Sequence, residues 1–172
     1  VNKIARSIGA ERFKSLFEYN LFKGKLYWKN VSKYHLNRNG LEAGFPRRDS
    51  NKPDKYYWIV KIDRHPIKRA TIIYALATSI IPDLIDHKDG NSLNDSIHNL
   101  REATHEQNSW NRKIGKPGRD LPMGIRLIKS SGRYQARITH RNKLIPLGTF
   151  STVNDAQNAY LEKRKELFGE FA

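Results

Sequence analysis

The sequence predicts an α+β fold built in two parts, and three observations carry that expectation. Short strand patterns of period two alternate along the chain with helical ones. From 84 to 113 the order is strand, long loop, short strand, helix. After residue 122 three strand patterns precede one helical pattern, beyond a stretch at 112–121 with two Gly, one Pro and four basic residues. The expected organisation is a first domain over 1–111, a basic linker over 112–121 and a second domain over 122–172.

The elements follow in order. Phe13, Leu16 and Phe17 fall on one face of a short amphipathic helix. Gly24 to Lys29 alternates polar and apolar residues, as a strand after a turn does. Residues 31–55, rich in Asn, Gly, Pro, Arg and Lys, read as a loop with little core. Tyr56 to Ile62 is a strand, Asp63 to Pro66 a turn, and Lys68 to Thr78 a helix closed off before Pro82. Leu84-Ile85 leads into Asp86-His87 at a strand end, and Lys88 to Asn91 has turn chemistry. Thr104 followed by Gln107 forms a capping box for a helix from about 105 to 113. In the last part, Gly124 to Ile128, Tyr134 to Thr139 and Leu144 to Phe150 are strands. Thr152 and Asp155 open a helix ending near Phe168, with Gly169 as its stop. Ile125, Ala136, Ile138, Leu147, Phe150, Ala156, Ala159, Tyr160 and Leu167 supply a separate small core.

Lys plus Arg number 32 against 17 Asp plus Glu, a net charge of +15. Such a balance points to a polyanion: nucleic acid first, an anionic membrane surface second. No apolar run reaches spanning length, so no membrane is expected. There is no Cys, which removes disulfides, thiolate metal sites and cysteine nucleophiles. The first residues lack the apolar core of a signal peptide, so a cytoplasmic location is expected. Charge is uneven: residues 1–82 hold 17 basic and 6 acidic side chains, whereas residues 83–110 hold 2 and 6. An acidic island in a basic chain suits a metal site in a nucleic-acid-binding protein, although a cluster of solvated carboxylates would look the same.

Within that island lie Asp86-His87-Lys88-Asp89-Gly90-Asn91, then Asn99-Leu100-Arg101, then Asn108. A carboxylate, an imidazole and two carboxamides in one compact region can hold a divalent ion and activate water. A calcium loop starting at Asp86 fails, because Lys88 and Ile97 occupy its third and twelfth positions. Zinc is disfavoured by the absent Cys and by the lack of any closely paired His among His87, His98 and His105. Asp89 to Asn91 form a tight turn.

This segment resembles the HNH endonucleases, whose core is a ββα-metal fold, and most closely those of phage and intron-encoded homing type. His87 and Asn99 are 12 apart, and Asp86 and Asn108 are 22 apart. Leu16-Phe17-x-Tyr19 and Gly24-x-Leu26-x-Trp28 extend the likeness over about 13–112. The resemblance implies that Asp86 and Asn108 hold one Mg²⁺ or Mn²⁺, that His87 is the general base, and that Asn99 orients the loop rather than touching metal. Lys68-Arg69 stands where the family often has a His-Arg pair; these two would contact phosphate or sit on a solvated face. Arg112, Lys113 and Lys116 of the linker would track phosphates.

The last part resembles the AP2 DNA-binding domain, through Gly124-Ile125-Arg126, Gly132-x-Tyr134-x-Ala136-x-Ile138, Leu147-Gly148-Thr149-Phe150, Ala156 and Ala159-Tyr160. That likeness implies a three-stranded antiparallel sheet packed on one helix. Arg126, Tyr134, Arg137, Thr139 and Arg141 are its candidate DNA-facing residues, with sheet-to-helix packing as the alternative for Tyr134. Leu144 and Pro146 replace contact positions of that family, so no base specificity carries over.

Together these features predict a metal-dependent endonuclease of phage or mobile-element type that acts on double-stranded DNA as a monomer, in a bacterial or phage-infected host cell. One ion and one base suit cutting one strand at a time. The competing expectations are a non-catalytic DNA-binding regulator with a degenerate HNH fold, and a protein that binds or cuts RNA.

Overall fold

The computed structural model describes residues 2–29, 38–111 and 120–172. The chain divides into two units, Val1–His105 and Glu106–Ala172.

The first unit begins with helices α1 (Lys3–Ile8) and α2 (Ala10–Leu16), separated at Gly9, where φ is 82°. Phe17 does not continue α2. It opens strand β1 (Phe17–Asn20), which forms an antiparallel hairpin with β2 (Lys25–Trp28). Buried Phe17 and Leu26 point into the core from this hairpin. Its turn ends at Gly24, with φ of 62°, and a Cβ there would lie 2.2 Å from the carbonyl carbon of Asp95. Only glycine permits that approach.

A second sheet has the order β3 (Phe45–Arg48), β4 (Tyr56–Ile62), β5 (His65–Lys68), all antiparallel. Two expectations change here. The segment read as a coreless loop contributes both β3 and the fully buried Ala43. Phe45-Pro46-Arg47-Arg48 has no strand signature of its own; its extended form comes from pairing with β4. The turn expected over Asp63 to Pro66 contracts to Asp63 and Arg64, at φ of 48° and 69°, the pattern of a two-residue hairpin. His65 and Pro66 are then free to start β5, an edge strand on which proline is tolerated.

Helix α3 (Arg69–Thr78) follows at once and is buried on nearly every side, with Ala70, Thr71, Ile72, Ile73, Ala75 and Leu76 in the interior. It packs against α2, β2, β4, β5 and β7, so it is the central post of the unit. After it, β6 (Ile85–His87) and β7 (Leu100–Glu102) pair antiparallel across the loop 88–99, whose last turn, Ile97–Asn99, is 3₁₀.

The second unit takes in nearly all of α4 (His105–Trp110), whose Trp110 ring stacks on Phe168 at 4.8 Å. Buried Arg164 donates to the Trp110 carbonyl. Most of the expected linker, 112–119, lies outside the described residues, and Arg112, Lys113 and Lys116 with it. Strands β8 (Ile125–Ile128), β9 (Arg133–His140) and β10 (Lys143–Phe150) form an antiparallel sheet with β9 central. Arg141 and Asn142, both at positive φ, make the β9–β10 turn. Helix α5 (Val153–Phe168) lies against all three strands. It starts at Thr152, whose hydroxyl oxygen accepts from the Asp155 N–H. Ile125, Ala136, Ile138, Ala156 and Tyr160 are buried between sheet and helix, joined by Phe168 and Phe171. Among the described residues no helix is long and apolar enough to cross a membrane.

Candidate active site

The β6–β7 hairpin places the polar residues of the acidic island. Asp86 lies opposite Arg101, and His87 opposite Leu100. Asp86 is only 5% exposed, and its Oδ2 accepts from Arg101 Nε at 2.9 Å and Arg101 Nη2 at 2.8 Å. A carboxylate this deep requires such a partner to remain ionised. His87, 7% exposed, sits with Nε2 3.0 Å from Asp95 Oδ1. Asp95 is 2% exposed, and its Oδ2 accepts from Arg69 Nε at 2.9 Å. Arg69 Nη1 reaches Glu42 Oε1 at 2.9 Å, and Glu42 Oε2 meets Lys25 Nζ at 2.9 Å. Acids and bases thus alternate from the imidazole to the surface. Burial acts against the charge on Glu42, but hydrogen bonds and attraction from Lys25 and then Arg69 outweigh it, and its carboxyl falls below the usual range.

Asn99 spends its carboxamide on the loop. Its Nδ2 donates to Asp89 Oδ1 at 3.0 Å and to the Asn94 carbonyl at 2.8 Å, and its Oδ1 accepts from the Asp89 N–H at 3.0 Å. Asp89 also accepts from Asn94 Nδ2 and the Asn91 N–H. Partial desolvation opposes its charge, yet the bonds from Asn94, Asn91 and Asn99, with His87 nearby, hold its carboxyl below the ordinary value.

His87 fronts a cleft of about 360 Å³. Arg47, Arg48, Tyr57 and Lys68 from the β3–β4–β5 sheet also line it, together with Asp49 and Asp83, and Lys68 Nζ stands 3.8 Å over the Tyr57 ring. Desolvation in this setting lowers the Lys68 pKa, with Lys52 and Lys55 adding to it and Asp49 and Asp95 opposing it.

Similarity to known proteins follows the same residues. The sequence pattern described as HNH endonuclease matches residues 72–110. A protein of Acanthamoeba polyphaga mimivirus, described as uncharacterized HNH endonuclease L560, is 34% identical over 152 residues, 84% of this chain and 68% of that protein. The chain belongs to the HNH endonuclease family. It is accordingly a DNA-cleaving enzyme. Protein 3.8 of Escherichia phage T7 is 32% identical over 107 residues, 61% of this chain and 88% of its own length. No solved structure matches.

HNH nucleases generally use a divalent metal. Among the described residues no three His, Asp or Glu side chains gather into a metal cluster. Asp86 offers a hard carboxylate oxygen donor, which fits an ion that keeps water and substrate phosphate for most of its shell. Asn108, the other expected ligand, lies on α4 in the second unit.

For the HNH endonuclease, the other expected positions divide as follows. Asp86, His87 and Asn99 come together in one hairpin and its loop. Lys68 is exposed on the cleft wall. Arg69 is not a surface residue: it is 3% exposed, with its guanidinium 4.0 Å over the Trp58 ring and bound to Asp95 and Glu42. The helix starts one residue later than expected, which leaves Lys68 on the strand and turns Arg69 inward. In the second unit Arg126, Arg137 and Thr139 share the outer sheet face and are exposed, as is Arg141 in the turn. Tyr134 lies on the opposite face, with buried Ala136 and Ile138, because strand positions alternate.

Sequence reasoning missed Asp95, Glu42 and the cleft wall of Arg47, Arg48 and Tyr57. Asp95 sits between Asn94 and Ser96 in a stretch that reads as solvated turn. Its one signal was the basic residue at the start of α3, which needs an acid once buried.

Proposed function

We propose that the protein is a metal-dependent endonuclease that hydrolyses phosphodiester bonds of double-stranded DNA at a preferred site, one strand at a time. The observation that carries this is the adjacency of Asp86 and His87 on β6, with His87 lining a cleft that also takes in Arg47, Arg48 and Lys68. Asp86 and Asn108 would hold Mg²⁺ or Mn²⁺, which when bound neutralises charge on the phosphate and at the departing oxygen. His87 takes the proton from the attacking water. Asn99 keeps the 88–99 loop in the conformation that presents His87, and Lys68 steadies the phosphate. One base and one metal-binding carboxylate serve one strand per encounter, so a monomer nicks.

The second unit is an AP2-like DNA-binding module in this reading, with Arg126, Arg137, Thr139 and Arg141 directed to the duplex and Arg112, Lys113 and Lys116 tracking phosphates on the approach. Its exposed basic sheet face supports this. Likeness to a phage T7 protein and a mimivirus protein supports a viral or mobile-element, homing-type setting, with action in an infected host cell.

Supercoiled plasmid incubated with Mg²⁺ should give open-circular product before linear, and none with chelator. His87→Ala should slow cutting by about 100-fold or more, to a small residual rate, while retaining DNA binding. DNA binding with no cleavage under any divalent ion would favour the regulator instead.

A further inference from the structure

The contact of His87 with Asp95 goes beyond the motif that defines the site. We propose that Asp95 is the positioning residue of the reaction: its carboxylate accepts from Nε2–H of His87, fixes the tilt and tautomer of the ring, and so puts the imidazole lone pair on Nδ1. This rests on the reading of His87 as proton acceptor.

Three observations converge on it. First, Asp95 is among the most deeply buried side chains, and both of its oxygens are used, Oδ1 at His87 (3.0 Å) and Oδ2 at Arg69 Nε (2.9 Å). A carboxylate ionised by an arginine is an acceptor, so the ring nitrogen facing it must carry the proton. Second, the carboxylate cannot swing away, because Arg69 is itself held by Glu42 and by the Trp58 ring. Third, the Asp95 backbone is fixed from behind. The β1–β2 turn packs Gly24 against the Asp95 carbonyl, and the Ile97 N–H donates to the Leu21 carbonyl at 2.9 Å. A general base is effective only when its lone pair points at the water to be deprotonated, and a neutral imidazole has two tautomers to choose between. Asp95 makes that choice before substrate arrives.

The test uses the full chain with ¹⁵N-labelled histidine. Nitrogen spectra of the imidazoles are recorded at alkaline pH, with the His87 signal assigned by its loss in His87→Ala. Wild-type His87 should be in the Nε2–H form; an Nδ1–H ring overturns the proposal, and this arm needs no Asp95 variant to fold. In Asp95→Asn, the single-turnover cleavage rate at saturating DNA should fall about 10- to 100-fold, with DNA affinity changed less than about 2-fold. The ring should lose its single tautomer. Adding Asp95→Asn to His87→Ala should lower the rate no further, whereas a purely structural Asp95 would make the losses multiply. An unchanged rate in Asp95→Asn overturns the proposal and leaves the proton-acceptor reading standing. Wild-type cleavage by His87→Ala would overturn that reading, and the positioning role with it.

Discussion

At the scale of the residue, the chemistry depends on charges that are buried and therefore paired. Asp86 and Arg101 pair inside the protein, so removing one takes a close counter-charge from the other. Asp86→Ala should destabilise the first unit by about 3 kcal/mol in denaturant unfolding, because it removes a buried ion-pair partner of the Arg101 guanidinium. Asp86→Asn, which keeps an acceptor, should cost less and still abolish cleavage. Asp89 gives a pH dependence of known sign. Its folded pKa lies below the unfolded value, so its contribution is present above the unfolded pKa and is lost as pH falls through the folded one. Amide protection factors in the 88–99 loop, corrected for the intrinsic pH dependence of exchange, should therefore fall on acidification below about pH 4, and Asp89→Asn should flatten that response. The types and intervals of Asp86, His87 and Asn99 are distinctive in sequence, and the structure gathers them in one hairpin and its loop. Asp95 and Glu42 were not legible, since a carboxylate in a polar loop gives no local sign of its burial. Arg69 misled for the complementary reason: next to Lys68 it reads as one of a surface pair.

At the scale of the element, strands and helices with their own pattern were readable, and those shaped by neighbours were not. Tyr56 to Ile62 and the three strands and helix of the last part carry their alternation or caps in the sequence, and the structure has them at nearly those bounds. Strands β1, β3 and β5 have no such signature; a turn, an edge pairing and a proline define them. Turns can be equally decisive. In the second unit a Cβ at Gly124 would lie 2.3 Å from the Tyr160 ring, and φ there is +80°. Gly124→Ala should lower the stability of that unit by more than about 1 kcal/mol, measured as a fall in its unfolding midpoint. Thr152→Ala should cost about 1 kcal/mol through the lost cap on α5.

At the scale of the whole molecule, the net charge of +15 makes affinity for DNA strongly salt-dependent. Lys68→Ala should weaken binding across sequences alike and reduce the slope of log affinity against log salt by about 1, as the loss of one phosphate contact does. Composition sets the expected boundary at residue 112, whereas α4 groups with the second unit, because Trp110 gives no hint in sequence of the Phe168 ring it stacks on. A last consequence follows from the line of charges that runs from Lys25 through Glu42, Arg69 and Asp95 to His87. The segment that carries the family signature, 72–110, includes His87 and Asp95 but neither Arg69, Glu42 nor the Gly24 turn. It is not a portable cassette: grafted into another scaffold, it would bring His87 and Asp95 without the Arg69 and Glu42 that hold Asp95 in place.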